Sequence, residues 1–356
     1  MALHDIQIRH EQNRHRGVQR GSITLSLEEI APKFSFGYQS DLGSGRYEGS
    51  AWVLYAGDLI EILVDDEMIV DGYVTKGKVK RDEKEHTFQA EGMAATLDLV
   101  DCEYMGRPRA FTHATVAQIA TKIVEPWNFT IEVVGSPGAV IPRFKVDKGE
   151  TAFDALSRVC RMRGLWPRYR PGSYTIELVT LDATPGSTPL VLGENVIEME
   201  RDTDWSERFS VYSGVGSCSG TDDQFGEATR FRNTLTDAGI SRYRPKRLPA
   251  RGVDGVTDLA TRLKLERNHR AGNSETITCT VSGWRDYEGN LWRPNNLHTV
   301  DAPELGLSTP NLLITTAQYD WDVAMPHGFT TKLTLKRREA FDHEATYPID
   351  ERGEWR

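Results

Sequence analysis

The chain has 356 residues, 38% hydrophobic and 27% charged, a balance that suits a globular protein with room for two or three domains. A formal net charge of −9 argues against a general nucleic-acid binder, because phosphate recognition runs on surplus lysine and arginine. No apolar run approaches a membrane span and the first residues lack a signal peptide's basic-then-apolar order, so synthesis and residence in the cytoplasm are the expectation.

Read in chain order, the first hundred residues are β-like. The stretch Arg9 to Arg20, holding His10, Arg14, His15 and Arg16, is expected to be a solvated basic loop, with contact to an acidic neighbouring subunit as the second reading. Ser22 to Leu27 alternates at period two, as does part of Ile60 to Val64, and the glycines at 43, 45 and 49 punctuate the space between. Asp65-Asp66-Glu67 falls between two strands and reads as turn chemistry. Lys76, Lys78 and Lys80 alternate with Gly77 and Val79, so a strand there puts its ammonium groups on one face, in water. Ala90 to Leu97 is expected to break the alternation and turn into a short helix.

From Thr112 the period changes. Val116, Ile119, Ala120, Ile123 and Val124 recur at helical spacing, with Thr112 as the expected cap and Pro126 as the stop. A strand over Phe129 to Val134 follows. A second helix is expected over Thr151 to Arg163, with Phe153, Leu156, Val159 and Cys160 on one stripe and Gly164 closing it. Arg158, Arg161 and Arg163 suit the negative end of its dipole. Leu165-Trp166 and Tyr174 to Leu178 form a hairpin around Pro171-Gly172, and together these pieces describe a small α+β domain. Thr184 to Pro189 concentrates turn formers and is the expected linker.

Beyond the linker, Val191-Leu192 and Arg208 to Tyr212 read as strands, Gly220 to Arg247 as polar and irregular, and Thr257 to His269 as a helix ending near Gly272 or Asn273. Thr276 to Val281, Leu312 to Ile314 and Thr331 to Leu335 return to β, and the residues from Asp342 form a loose tail.

The chemistry-bearing groupings are sparse. Gly214 to Gly220 has the glycines of a phosphate loop but lacks a helix and a lysine after it, so a flexible surface loop is favoured over nucleotide binding. Asp65-Asp66-Glu67, Asp202 with Asp204, and Asp222-Asp223 supply carboxylates that a glycosidase could use, yet adjacent acids are ordinary in loops. Cys102, Cys160, Cys218 and Cys279 stand apart with no neighbouring histidine, which points to buried free thiols and away from zinc. A thiol nucleophile beside a histidine in space stays open, with no residue selected. Trp284, Trp292 and Trp321 are expected in the core, with an exposed sugar-binding platform as the alternative. No catalytic, cofactor-binding or metal-binding residue is assigned, and the chain is expected not to be an enzyme.

Gly57 to Ile62 with Asp71-Gly72-Tyr73-Val74, then Thr151 to Leu156 with Arg163-Gly164-Leu165, then Trp292 to Asn296 with Leu312 to Ile314, resemble the Mu-like phage baseplate hub proteins of the contractile-tail hub family. The resemblance runs from Gly21 to Phe341 and is weakest over Gly220 to Arg251. It implies an α+β, mainly β fold: a first β-barrel over 1–108, a small α+β domain over 109–183, a second barrel over 184–341 with a helical and irregular insert at about 214–273, and a tail over 342–356. It also implies a homotrimeric ring of six barrels in the virion tail. Such a ring would join the six-fold tail tube, or its initiator, to the three-fold membrane-piercing spike, contact baseplate wedge proteins, and line an acidic channel for the genome. A tail protein that binds or degrades peptidoglycan is the alternative.

Overall fold

A computed structural model describes residues 4–11, 13–16, 18–41, 54–81, 85–181, 185–217, 230–249, 256–324 and 328–341. The first half contributes β1 (Ile6–His10), β2 (Asn13–Arg16), β3 (Arg20–Ser26), β4 (Lys33–Asp41), β5 (Leu59–Val64), β6 (Glu67–Arg81), β7 (Glu85–Ala94) and α1 (Leu97–Asp101). A middle unit holds β8 (Ala110–Ala114), α2 (Val116–Val124), β9 (Thr130–Val134), β10 (Ile141–Lys145), α3 (Ala152–Arg161), β11 (Trp166–Arg170) and β12 (Thr175–Val179). The rest comprises β13 (Leu190–Val191), β14 (Val196–Thr203), β15 (Val211–Ser217), β16 (Arg230–Thr236), β17 (Pro245–Pro249), α4 (Val256–Asn273), β18 (Glu275–Ser282), β19 (Leu297–Ala302), β20 (Leu307–Asp322) and β21 (Phe329–Lys336). The fold is α+β and mainly β.

The main sheet repeats one pattern twice. In the first half the strands lie in the order β3-β4-β7-β6, and in the second β14-β18-β21-β20, every neighbour antiparallel. Each group ends on a long strand whose early part pairs with a short one, β5 on β6 and β19 on β20. Each long strand slips register by one residue at its middle, between Val74 and Lys76 and between Ile314 and Thr316. Such a bulge bends a strand, so each long strand can serve two partners. The halves join where β3 pairs antiparallel with β20, from Ser26 opposite Thr316 to Arg20 opposite Asp322.

Alternation fixes which face is buried. Ile23, Phe34, Phe36, Phe88, Ala317, Tyr319, Trp321, Leu333, Ile277 and Cys279 all point to one side and share a core with the middle unit. Gly21 is required on that side, because a Cβ there would stand 2.4 Å from the Trp321 ring. In the middle unit Thr151 caps α3 through the amide of Asp154, and Gly164, at φ +64°, ends it while Leu165 N–H returns to the Cys160 carbonyl. The hairpin β11–β12 forms as its sequence predicts, and β9 adds to β12 in parallel.

Several expectations need correction. The helix capped by Thr112 starts later: Thr112 lies in β8, and Thr115 caps α2 in a reciprocal box with Gln118. Ala90 to Ala94 stays in β7, and α1 begins at Leu97. The basic stretch after Arg9 is no loop, since β1 and β2 form a hairpin whose β1 pairs with β5. Pro185 to Pro189 is no loose linker either: Pro185 bridges Leu297, Gly186 N–H donates to the Leu297 carbonyl, and Thr188 is buried. Gly214 to Ser217 is strand, β15, flanked by β16 and β17 where an irregular stretch was expected. A Cβ at Gly214 would lie 2.6 Å from Leu259 of α4, so this glycine serves helix packing. The tail from Asp342 lies outside the described residues.

The middle unit is fastened to the first half by a buried carboxylate. Asp71, 4% exposed, accepts the Tyr169 hydroxyl at 2.7 Å and the Gly172 N–H at 2.9 Å. Tyr169→Phe therefore leaves Asp71 one donor short in a dry site, and a loss of about 1–3 kcal/mol is expected in urea unfolding.

Candidate assembly surface

The other face of the main sheet is largely polar. Following the register across β14, β18, β21, β20, β3, β4, β7 and β6, one row reads Glu200, Thr278, Thr334, Thr316, Ser26. Its counterpart further along the same face reads Asp320, Ser22, Ser35, Glu91, Lys76. Between them lie Thr280, Lys332, Gln318, Thr24 and Lys33. Eight antiparallel strands thus carry a largely polar surface, rich in hydroxyls and amides, which Met93 and Tyr73 interrupt beside Lys33.

The surface is concave over the junction of the halves, where a cleft of about 520 Å³ is lined by residues including Arg20, Ser22, Ser35, Gln89, Asp320 and Thr330. Burial pushes the Asp320 carboxyl above its ordinary range, against the opposing pull of its Gln318 hydrogen bond and the Lys332 charge. Gln318 donates to both Asp320 oxygens, at 2.9 and 3.1 Å. Within the cleft the Ser22 and Ser35 hydroxyls share a hydrogen bond at 3.0 Å.

The two ends of this eight-strand surface differ in charge. On β6, Lys76, Lys78 and Lys80 are exposed; β5 and the two residues before it follow β6 as far as Val74, whose N–H donates to the Asp58 carbonyl and whose carbonyl accepts from the Gly57 N–H, so beyond the bulge β6 has an unpaired side among the described residues. Lys76 reaches Glu91 at 3.2 Å, whereas Lys78 and Lys80 make no ion pair among the described residues. On β14, Glu198, Glu200 and Asp202 stand opposite Thr280, Thr278 and Thr276, exposed and likewise without ion pairs among the described residues. Among the described residues β14 pairs along its length with β18 alone, apart from an isolated bridge between Val196 and Leu192. Only Asp202 of this acidic ladder drew notice in the sequence, as half of a loop cluster with Asp204. The alternation of Val196 to Thr203 carried the signal that it is a strand.

The other groupings singled out in the sequence do not come together. Asp65 and Asp66 form the β5–β6 turn at φ 52° and 66°, as turn chemistry predicts. Glu67 binds Arg285 at 3.1 Å and Arg293 at 2.5 Å, tying the halves together. Asp65 accepts from His4 at 2.7 Å; burial alone would raise its carboxyl, but His4, the Asp5 amide and Arg285 hold it below the usual value. Trp284, Trp292 and Trp321 are buried, which removes them as a sugar platform. Cys160 and Cys279 are buried thiols, Cys279 pushed up to about 12 by desolvation, but Cys102 is exposed, contrary to expectation. Cys218 and Asp222-Asp223 lie outside the described residues. No group of three or more metal-ligating side chains occurs among the described residues.

Acid should weaken the middle unit. Glu177 is buried, which would raise its pKa, yet Arg168 and Arg170 overcome that and hold it below the ordinary 4.5. A depressed carboxylate contributes stability above its unfolded value and loses it as pH falls through the folded one. Thermal unfolding followed from pH 6 downward should drop steeply below about pH 4.5, and Glu177→Gln should flatten that drop.

The fold is a β-rich one with a long sheet face, whose outer strand β14 and whose β6 beyond its bulge are open to further pairing among the described residues. Comparison with known proteins gives the fold its family. Residues 5–94 match the N-terminal domain of Mu phage baseplate assembly protein GpP-like proteins, residues 96–172 the second domain of baseplate hub protein gp44-like proteins, and residues 257–344 the fourth domain of Mu phage GpP. The chain is 29% identical over 335 residues to baseplate hub protein gp44 of Escherichia phage Mu, covering 90% of this chain and 84% of that protein. The 43 kDa tail protein of prophage MuSo2 from Shewanella oneidensis superposes with a TM-score of 0.82 at 25% identity, over 96% of this chain and 100% of that one. A tail protein from Neisseria meningitidis MC58 gives 0.77 at 20% identity, over 95% and 98%. The chain belongs to the Mu-like phage baseplate hub family. Its relatives are structural tail proteins, its role is in the baseplate hub, and its place is the tail of the virion.

Proposed function

We propose that three copies of this chain form a closed ring that joins the tail tube to the central spike and lines the channel between them. The observation that carries the reading is the doubled sheet: two four-strand units of one design, joined within the chain, with β14 beyond Val196 unpaired on its outer side and β6 unpaired beyond its bulge among the described residues. Eight is an even number of antiparallel strands, so the outer two run in opposite directions, and copies related by rotation meet antiparallel as well. Three such sheets give a barrel of 24 strands with no free edge, which removes the hazard that open edges present. Six similar units around three identical chains present six-fold symmetry to the tube and three-fold symmetry to the spike.

In this arrangement the polar face lines the channel. The wall is then mainly hydroxyl and amide with charges of both signs, in place of the acidic lining expected from net charge, and the passing genome meets few unpaired cations to bind. The division at 1–108, 109–183 and 184–341 follows the same scheme, each β domain giving four strands to the shared barrel and the middle unit packed outside the channel. The tube or its initiator, the spike and wedge proteins are the partners, and the role is carried by binding geometry without catalysis. Negative-stain images of the purified protein should show three-fold rings with an axial hole. Compact particles without a hole, or retention of the protein on insoluble peptidoglycan, would contradict the reading.

A further inference from the structure

The repeat inside the chain specifies how one copy meets the next. The seam between the halves joins the first strand of one unit, β3, to the long strand of the other, β20, beyond its bulge. Among the described residues, the two strands left without that partner are the first strand of the second unit, β14, and the long strand of the first, β6, beyond its own bulge. Superposing the units through their pairings sets Lys76 equivalent to Thr316, because each follows the bulge and faces Glu91 or Thr334. Ser35 is equivalent to Thr278, since they face the same two residues on β7 and β21. Ser22 and Glu200 then correspond, as the partners of Ser35 and Thr278.

The inner seam places Gln318 opposite Thr24 and Asp320 opposite Ser22. Carried to the outer edges, the same register sets Lys78 opposite the position of Asp202 and Lys80 opposite that of Glu200, and one step of two residues back, Lys76 opposite that of Asp204. We propose that this is the contact between subunits: β6 beyond Lys76 pairs antiparallel with β14 of the next copy, with Lys76 facing Asp204 of the partner subunit, Lys78 facing Asp202 of the partner subunit, and Lys80 facing Glu200 of the partner subunit. The inference rests on the trimeric reading and adds its register. Every position where the inner seam has neutral or singly charged partners has opposite charges at the outer one.

The charges also decide which edges meet. Lysines on an edge strand repel the same edge of another copy, and acids repel acids, so only unlike edges join. Directly opposite residues in a sheet have Cβ atoms about 5 Å apart, close enough for each lysine to reach its acid. Joining at unlike edges is a head-to-tail contact, which closes into a ring when the rotation allows it. The inner seam is covalently linked and needs no such selection. The outer one forms between separate chains, where complementary charge speeds encounter and fixes register.

Zero-length carbodiimide coupling of a mixture of nitrogen-14 and nitrogen-15 chains tests this directly, because only touching lysines and carboxylates couple and mixed-label peptides report contacts between copies. Mixed-label links from the 76–80 segment to the 200–204 segment are expected. The triple variant Lys76→Glu, Lys78→Glu, Lys80→Glu should lose them and dissociate at least about tenfold more readily, while adding Glu200→Lys, Asp202→Lys and Asp204→Lys to that chain should restore association. All six side chains are exposed, and an unchanged melting curve separates lost association from lost folding. A protein that is trimeric by mass but gives no such links, or a triple variant that associates as before, overturns this contact and leaves the hub reading standing. A monomeric protein with no mixed-label links overturns both.

Discussion

Trp284→Ala should cost about 3–5 kcal/mol of unfolding free energy, enough to consume much of a typical domain's margin. The indole is 1% exposed, and its N–H donates to two carbonyls at once, those of Asp320 at 3.1 Å and Thr330 at 3.0 Å. These belong to β20 and β21, so one side chain stitches the open end of a strand pair. The ring also packs edge-on against Trp321 and Phe329, with centroids 5.8 and 5.3 Å away, and stacks on His4 from the N-terminal segment. Truncation therefore leaves a large cavity, two carbonyls short of a donor, and a released N-terminus. Urea unfolding should show the fall in midpoint, and Trp284→Phe, which keeps most of the volume but not the N–H, should fall between variant and wild type.

Gly72→Ala is expected to be nearly as damaging although it adds a single methyl. Gly72 pairs with Ile60 on β5 and Ala94 on β7, and a Cβ there would stand 2.1 Å from the Met93 carbonyl oxygen and 2.5 Å from the Ala94 Cα. Both neighbours are backbone, so relief requires β6 and β7 to part. The cost is about 3 kcal/mol, at the upper end of ordinary overpacking. The same displacement moves the β6 segment that bears Lys76, Lys78 and Lys80. Loss of self-association should therefore accompany the lower unfolding midpoint, whereas Trp284→Phe should leave association intact.

What could be seen in the sequence was what local pattern decides. α3 was legible because its apolar stripe, its Thr151 cap and Gly164 all lie within fourteen residues. The β11–β12 hairpin was legible for the same reason, and the three tryptophans fell in the core as their β context suggested. The basic N-terminal stretch was misread because β1 draws its order from β5, some fifty residues on. β15 to β17 were misread because glycines and polar residues there mimic a loop, while pairing within a three-stranded sheet and packing on α4 override that preference. The seam between β3 and β20 links residues about three hundred apart, beyond the reach of any window of periodicity.

The candidate surface divides the same way. The lysine ladder was visible as alternation and was placed on a solvated strand. The acidic ladder was hidden because acids at 198, 200 and 202 are read as loop residues unless Met199, Arg201 and Thr203 are seen to alternate with them. Neither ladder has meaning alone. Their correspondence emerges only when the pairing order shows that the chain contains the same four-strand unit twice.

The most direct test of the hub account is the solution mass of the purified chain across a concentration series, by light scattering on a sizing column. The account predicts a species of three 40.1 kDa chains, about 120 kDa, that weakens as salt screens the charged edges. A 40.1 kDa monomer that persists to the highest concentration would contradict it.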